Sequence, residues 1–261
     1  MKIIVCIKQV PDTADIKWTE NNTLNRDGVE SVINPCDLFA TETALRVKDR
    51  LGAEITAISM GPKQAESALR EVISMGVDNA YMLTDRFFAA SDTAATARVL
   101  AKSIQEKCSD FNLIFCGQYA SDGDTAQTGP SLAQNLGVSL VTNVKSIERI
   151  EDGKIIVLKQ EEDFVSRIEA KLPAVVCVLT GKYLVRMPKI MGRMKAQDAN
   201  IPVYNAQDIN FNAIYSGLKG SPTYVKKAFR PKGRADGEIV YDYSAKETAD
   251  LLLSKIEEYK G

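Results

Sequence analysis

The chain opens with KIIVCIK, a short apolar run rich in β-branched residues and bounded by charge. A continuous apolar run of this length predicts a strand covered on both faces. After a polar excursion the period changes. In NPCDLFATETALRVKDRLG, Pro35 lies near a first turn, Leu38, Thr41, Ala44, Leu45 and Val47 give a partial apolar face, and Gly52 supplies a stop, so the spacing predicts a helix. AEITAISMGP predicts a second strand that runs into Pro62 and a helix to about Met75. NAYMLT follows as a third strand, SDTAATARVLAKSIQEK as a third helix with Ser91 or Asp92 as N-cap, and FNLIFCG as a fourth strand leading into a fourth helix. This alternation predicts an α/β fold: a Rossmann-like parallel sheet with helices on both faces and ligands at the carboxyl ends of the strands. The glycine-rich, Asn-Pro and cap-rich turns all fall on that edge.

From about Asn143 the pattern becomes strand, Asp-Gly turn, strand, short turn, strand, and then a buried strand after Pro173, which predicts an antiparallel extension of the same sheet. Beyond Thr180 periodicity fades. Residues 181–243 carry Pro188, Pro202, Pro222 and Pro231 with several glycines, and so long an irregular stretch is not expected of a self-contained domain. It is expected as an extended partner-docking arm. Within it, YLVRMPKIMGRMKA sets Met187, Ile190, Met191 and Met194 at helical spacing among Arg186, Lys189, Arg193 and Lys195, and exposed methionines suit an adaptable binding surface. A solvated tail is the plainer alternative. The organisation expected is therefore an α/β domain over 1–180, the arm over 181–243, and a capped amphipathic helix over 244–261.

Composition narrows the chemistry. With 261 residues, 45% hydrophobic, the chain can bury a large core unaided. Lys plus Arg (33) balances Asp plus Glu (34), so there is no long-range field for nucleic acid or an anionic membrane, and any polyanion bound must be small and held locally. No apolar stretch approaches the roughly 20 residues of a membrane span, and the first run is too short for a signal peptide. A cytoplasmic location is expected. Cys6, Cys36, Cys108, Cys116 and Cys177 are odd in number, widely spaced and free of CxxC, which argues for buried reduced thiols rather than disulfides, zinc or an iron–sulfur cluster. Histidine is absent, which removes Ser-His-Asp and Cys-His catalysis and the usual neutral-pH base. The chemistry is expected to reside in something bound.

The stretch FCGQYASDGDTAQTGPSLAQNLG passes from strand through a glycine loop to a helix start. That sequence of elements makes an anion site, because the first helical N–H groups lack partners and the dipole is favourable. Asp122 and Asp124 stand where they would repel the anion. On its own, SDGD also reads as an Asp-Gly turn with a cap.

VCIKQVPDT at the start, NPCD at 34–37, SMGP at 59–62, GQYASDGDTAQTG at 117–129, KLPAVV at 171–176, PKIMGRMKA at 188–196 and GLKGSPT at 217–223 together resemble the β subunit of electron transfer flavoproteins, from end to end. One segment departs: QEEDFVSRIEA lacks the family's Gly-Gly and has Phe164 in its place. The resemblance implies a nucleotide-binding domain that pairs with an α subunit. In ordinary members the pocket holds AMP; in electron-bifurcating members it holds a second FAD. By position the pocket comprises Cys6, Asn34, Pro35, Cys36, Asp37, Met60, Gly117, Gln118, Tyr119, Ala120, Ser121, Asp122, Gly123, Asp124, Thr125, Ala126, Gln127 and Thr128. The phosphates are then expected past the acids, on the N–H groups of Thr125 to Thr128 and the Thr128 hydroxyl. Asp122 and Asp124 are left to cap the helix or accept bonds from ribose or adenine, with Gly123 giving the turn a φ that other residues avoid.

Two features resemble the bifurcating branch: glycine within DGDTAQTG, and the opening SDTAAT of the third helix. Asp92, Thr93 and Thr96 would there offer a carboxylate and hydroxyls to a flavin ring or stabilise its reduced anion; an ordinary N-cap is the alternative. The implied function is acceptance of hydride from NADH by FAD in this subunit. One electron would then pass to ferredoxin or flavodoxin and the other, through the α-subunit FAD, to a dehydrogenase such as acyl-CoA dehydrogenase. NADH binding follows from the resemblance alone, since no GxGxxG follows a strand. Two alternatives remain: a non-bifurcating β subunit with structural AMP, and an adenine-nucleotide-binding regulatory domain, which fits the sheet and loop but not the arm or KLPAVV.

Overall fold

The computed structural model describes residues 1–12, 17–18, 24–25, 31–181, 183–226 and 241–260. Residues 1–227 form one unit and 228–261 a second. The chain runs β1 (Lys2–Cys6), β2 (Gln9–Pro11), β3 (Lys17–Trp18), β4 (Leu24–Asn25), β5 (Ser31–Ile33), α1 (Pro35–Leu51), β6 (Glu54–Met60), α2 (Glu66–Met75), β7 (Asn79–Leu83), α3 (Thr93–Lys107) and β8 (Leu113–Gly117). It continues through α4 (Thr128–Leu136), β9 (Ser139–Glu151), β10 (Lys154–Gln160), β11 (Val165–Lys171), β12 (Ala174–Val178), α5 (Ile190–Asp198), β13 (Val203–Tyr204), α6 (Gly217–Gly220) and α7 (Ala245–Lys260).

Nine strands form the main sheet in the order β11-β10-β9-β12-β8-β1-β6-β7-β13. From β12 to β13 every pairing is parallel. Parallel strands must be covered on both faces, and the uninterrupted apolar runs of β1, β8 and β12 meet that demand. Ala40, Ala44 and Leu45 of α1 and Leu69, Val72 and Ile73 of α2 pack one face; Ala97, Leu100 and Ile104 of α3 and Leu132 and Ala133 of α4 pack the other. The helix ends follow their chemistry. Pro35 occupies the first turn of α1, and Gly52 closes it at φ 66° with its N–H on the Lys48 carbonyl. Asp92, rather than Ser91, caps α3.

β12 does not belong to the antiparallel extension. It lies between β8 and β9, parallel to both, with Ala174 beside Leu113 on one side and Ser139 on the other. All five residues of AVVCV are buried, so the strand needs cover on both faces, which the middle of the sheet provides. The antiparallel part is β9, β10 and β11 alone. Phe164 is 63% exposed just before β11.

The expected arm contains regular structure. α5 packs on α2, where a Cβ on Gly192 would lie 2.1 Å from the Ser74 carbonyl oxygen, so only glycine allows this approach. The Arg70 guanidinium donates to the carbonyls of Ala196 at 2.6 Å and Gln197 at 3.1 Å, covering the last-turn acceptors of α5 with positive charge. β13 extends the sheet beside β7, with Val203 opposite Met82. The 217–223 segment is tied to α3, and residues 227–240 lie outside the described residues. In the second unit, Ser244 and Glu247 form a reciprocal capping box at the start of α7.

Candidate functional site

From β1 the chain moves through α1 and α2 to β6 and β7 on one side; α3 then returns it to β8 on the other side of β1. Connections thus leave β1 and β8 in opposite directions. The crevice at the carboxyl ends of such a pair is where open α/β sheets bind ligands. Cys6, Met60 and Gly117 end β1, β6 and β8, and Asn34 to Asp37 lead into and open α1.

Asn34 and Asp37 build the floor. Asn34 is 1% exposed; its side chain donates to the Tyr119 carbonyl at 2.8 Å and accepts from the Ser121 N–H at 3.1 Å, so it clamps the loop after β8. Asp37 Oδ2 accepts from the Lys8 N–H at 2.8 Å and Oδ1 from the Gly117 N–H at 3.2 Å. Burial pushes its carboxyl up to about 7, against the N–H bonds that favour the ionised form. Both residues, expected as ligand contacts, join β1, α1 and β8 to one another. Gly117 is required by this joint, because a Cβ there would lie 2.4 Å from Asp37 Oδ1 and 2.7 Å from the Cys36 carbonyl carbon. Gln118 is likewise engaged, with its N–H on the Val178 carbonyl and its side chain on Asn143.

Above this floor, the residues from Ser121 to Gln127 are exposed. The N–H groups of Thr125, Ala126, Gln127, Thr128 and Gly129 donate to no acceptor among the described residues. α4 begins at Thr128, its N-cap Gln127 makes no side-chain cap bond, and Pro130 has no N–H to satisfy. Asp124 (φ 48°) and Ala126 (φ 54°) are left-handed, whereas Gly123 is not; the positive φ expected of the glycine falls on its neighbours. For alanine that conformation costs roughly 1–2 kcal/mol, and strain of this kind is characteristic of anion-binding nests. Gly129 seats the helix closely, since a Cβ there would lie 2.3 Å from Cys177 Sγ.

Neither acid caps α4. Asp122 accepts from the Lys8 ammonium at 2.6 and 2.8 Å, and the Asp124 carboxylate makes no hydrogen bond or ion pair among the described residues. Lys8 escaped the sequence reading. The only local signal was its place within VCIKQVPDT at the end of the first strand.

Asp92, Thr93 and Thr96 lie on the first turn of α3, and Thr93 Oγ1 donates to Gln127 Oε1 at 3.0 Å, which places the two helix starts side by side. Asp92 is already engaged. Its Oδ1 accepts from the Ala95 N–H, and its Oδ2 accepts from the Thr223 N–H and hydroxyl, each at 2.9 Å. Partial desolvation opposes ionisation, but these bonds outweigh it and hold the carboxyl below the usual range.

The cysteines form a row rather than a centre. Cys177 is paired with Cys116 across β12 and β8, and Cys6 ends β1 on the other side. The neighbouring Cys6 thiol and burial hold Cys116 well above the usual thiol range, and burial pushes Cys177 to about 12. Protonated, buried thiols are poor nucleophiles. A groove of about 840 Å³ opens at the opposite edge of the sheet, around Lys2, Asp78, Tyr81, Asp110 and Tyr204. Lys2 is already paired there with Asp110, and Asp78 with Lys48.

Met187, Ile190, Met191 and Met194 are 79%, 80%, 73% and 55% exposed, with Leu184 at 91%. Met187 is not on the helix: Pro188 disfavours the helical region for the residue before it, and α5 starts at Ile190. Nor is Arg186 a free rim charge. Its guanidinium bonds the buried Glu42 at 2.8 Å and Asp49 at 2.8 Å, fixing the root of the segment to α1.

Among the described residues no helix is long and apolar enough to cross a membrane. A model of the electron transfer flavoprotein domain matches residues 21–209. An electron transfer flavoprotein subunit beta of Thermoanaerobacterium thermosaccharolyticum is 42% identical over 258 residues, 98% of each chain. Subunit CarD of the caffeyl-CoA reductase–Etf complex of Acetobacterium woodii is 42% identical over 263 residues, 99% of this chain and 98% of its own. Protein FixA of Azorhizobium caulinodans is 39% identical over 263 residues, 98% of this chain and 94% of its own. With the switch-point crevice and its open loop, these likenesses establish that the chain belongs to the electron transfer flavoprotein β-subunit family.

Proposed function

We propose that this chain is the β subunit of a heterodimeric, electron-bifurcating electron transfer flavoprotein and that it holds FAD at the β1/β8 crevice. The observation that carries the binding site is the unbroken row of free N–H groups from Thr125 to Gly129 at a switch point. Such a row fits the phosphate of an adenylate, which FAD and AMP share. When bound, FAD would supply the hydride and electron chemistry, with NADH as donor and ferredoxin or flavodoxin, and the α-subunit FAD, as acceptors. The residues of this chain bind and orient. Asn34 fixes the loop, Thr128 adds a hydroxyl to the N–H row, and the Thr96 hydroxyl, bonded to nothing among the described residues, stands on the first turn of α3 beside it. Because Asp92 is engaged with Thr223, α3 would act on a flavin through its dipole and Thr96 rather than through that carboxylate.

The exposed stretch of Leu184, Met187, Ile190, Met191 and Met194 is the proposed contact for a dehydrogenase with an acidic rim, matched to Lys189 and Arg193. The name of the Acetobacterium woodii relative ties that protein to a caffeyl-CoA reductase, which favours an enzyme of acyl-CoA thioesters, such as an acyl-CoA dehydrogenase, as the partner. Counting nucleotides in the purified αβ complex tests the reading. Two FAD and no AMP per heterodimer is expected; one FAD with one AMP would overturn bifurcation and leave a one-flavin carrier. A Met187→Ala, Ile190→Ala double variant should raise the apparent KM for the dehydrogenase with flavin content unchanged. Wild-type transfer would remove this stretch from the partner contacts.

A further inference from the structure

Lys8 stands where the chain leaves β1. Its N–H is fixed to Asp37, and its ammonium crosses to Asp122, which lies 114 residues further along the chain. The Lys8 side chain is 47% exposed and that of Asp122 32%, so water screens the pair and it contributes little to stability. Its position is what matters. Asn34 clamps Tyr119 and Ser121 immediately before Asp122, and the free N–H groups begin at Thr125 immediately after Asp124. The ammonium is therefore tied to an acid of the same loop, three residues before the row of free N–H groups begins.

We propose that Lys8 is a phosphate-recognising residue kept in place by Asp122 until ligand arrives. The incoming phosphate of an adenine nucleotide takes over the Lys8 ammonium, completing a shell with the N–H groups of Thr125 to Gly129, and the Asp122 carboxylate turns to solvent. The AMP phosphate dianion, or the FAD diphosphate with one charge on each phosphoryl group, outcompetes a single carboxylate for one ammonium because it carries more charge in all and is also met by the loop N–H groups. A nucleoside offers nothing to exchange. The internal acid thus acts as a competitor that moderates the affinity of phosphate-bearing ligands and leaves a nucleoside untouched.

This rests on the adenine-nucleotide reading of the crevice, and the experiment separates the two. Binding of AMP, FAD and adenosine is measured on the full-length chain in its αβ complex, for wild type, Lys8→Met, Asp122→Asn and the double variant. Lys8→Met should weaken AMP and FAD by about tenfold, as loss of a charge-assisted contact does. Asp122→Asn should tighten both by about threefold, in line with release of an exposed ion pair. The double variant should bind as weakly as Lys8→Met, and adenosine should be unmoved throughout. Lys8→Arg should retain most affinity, and circular dichroism melts confirm that each variant folds. A double variant that binds AMP and FAD as tightly as wild type would mean that Lys8 only neutralises Asp122, overturning the inference with the site intact. A wild-type complex that holds neither AMP nor FAD in this subunit would overturn the site reading and the inference with it.

Discussion

The starts of α3 and α4 lie side by side at one edge of the sheet, yet they are finished in opposite ways. α3 is closed: Asp92 caps it, the Asp92 N–H donates to Ser221 Oγ at 2.8 Å, and Arg98 holds the Gly220 carbonyl at 2.8 Å. α4 is open, with an uncapped Gln127 and N–H groups from Thr125 to Gly129 that donate to no acceptor among the described residues. A capped helix start has spent its donors on its own chain. An uncapped one, next to left-handed residues, keeps them for a ligand. The same contrast separates two aspartates. Asp37 and Asp92 both accept backbone N–H bonds, but Asp37 is buried and its carboxyl is raised, whereas Asp92 is more accessible and its carboxyl is lowered. Solvent access decides the direction.

The largest effect expected concerns those acids. Because Asp37 rises from an ordinary 3.8 to about 7, the native protein keeps a proton that the unfolded chain releases between those values. Stability from this group is therefore present at low pH and lost as pH rises across that window, by an amount on the order of 4 kcal/mol. Subtracting urea midpoints of Asp37→Asn from those of wild type between pH 4.5 and 7.5 isolates the slope; a difference that does not change with pH would show that Asp37 stays ionised. Asp92 has the opposite sign, stabilising above an aspartate's ordinary value and losing that contribution as pH falls.

Gly129→Ala attacks the open start directly. Its Cβ would overlap Cys177 Sγ, which is buried, so overpacking should cost about 1–3 kcal/mol and loosen nucleotide binding. Adding Cys177→Ala should restore much of both, and a single variant with a wild-type urea midpoint would mean that α4 is not tightly seated. Asp92→Ala attacks the closed start: it should lose about 1 kcal/mol from the cap, with nucleotide affinity changed less than twofold. A large loss of affinity with intact stability would reassign Asp92 to the ligand. The smallest change closes the open start. Gln127→Asp should add about 0.5 kcal/mol of stability through a new cap while weakening nucleotide binding, and a variant that gains both would erase the contrast between the helices.

What was legible in the chain was local. The strand and helix alternation, the Pro35 start, the Gly52 stop and the helix start at Thr128 depend on neighbours within one turn or one strand, and each stands where the pattern put it. The order of strands did not follow, because AVVCV reads only as a buried strand and says nothing of which partners flank it. The same limit hid the site's partners: Lys8 with Asp122 and Asp92 with Thr223 join residues more than a hundred positions apart. One error had a local remedy. The Pro188 that follows Met187 already argued against placing that methionine on a helix.

The place of β12 governs when the molecule can assemble. This strand is made after β8, α4 and the whole β9–β11 meander, yet it fills the gap between β8 and β9. Until residue 178 has left the ribosome, β8 and β9 have no strand to join them, and the helices above cover an incomplete sheet. A chain ending before Ala174 therefore exposes two apolar strand edges, open to chaperones or to another copy. Folding of the nucleotide crevice is in this sense a late, long-range event, and its rate should respond to changes in β12 more than to changes in the helices that line the crevice.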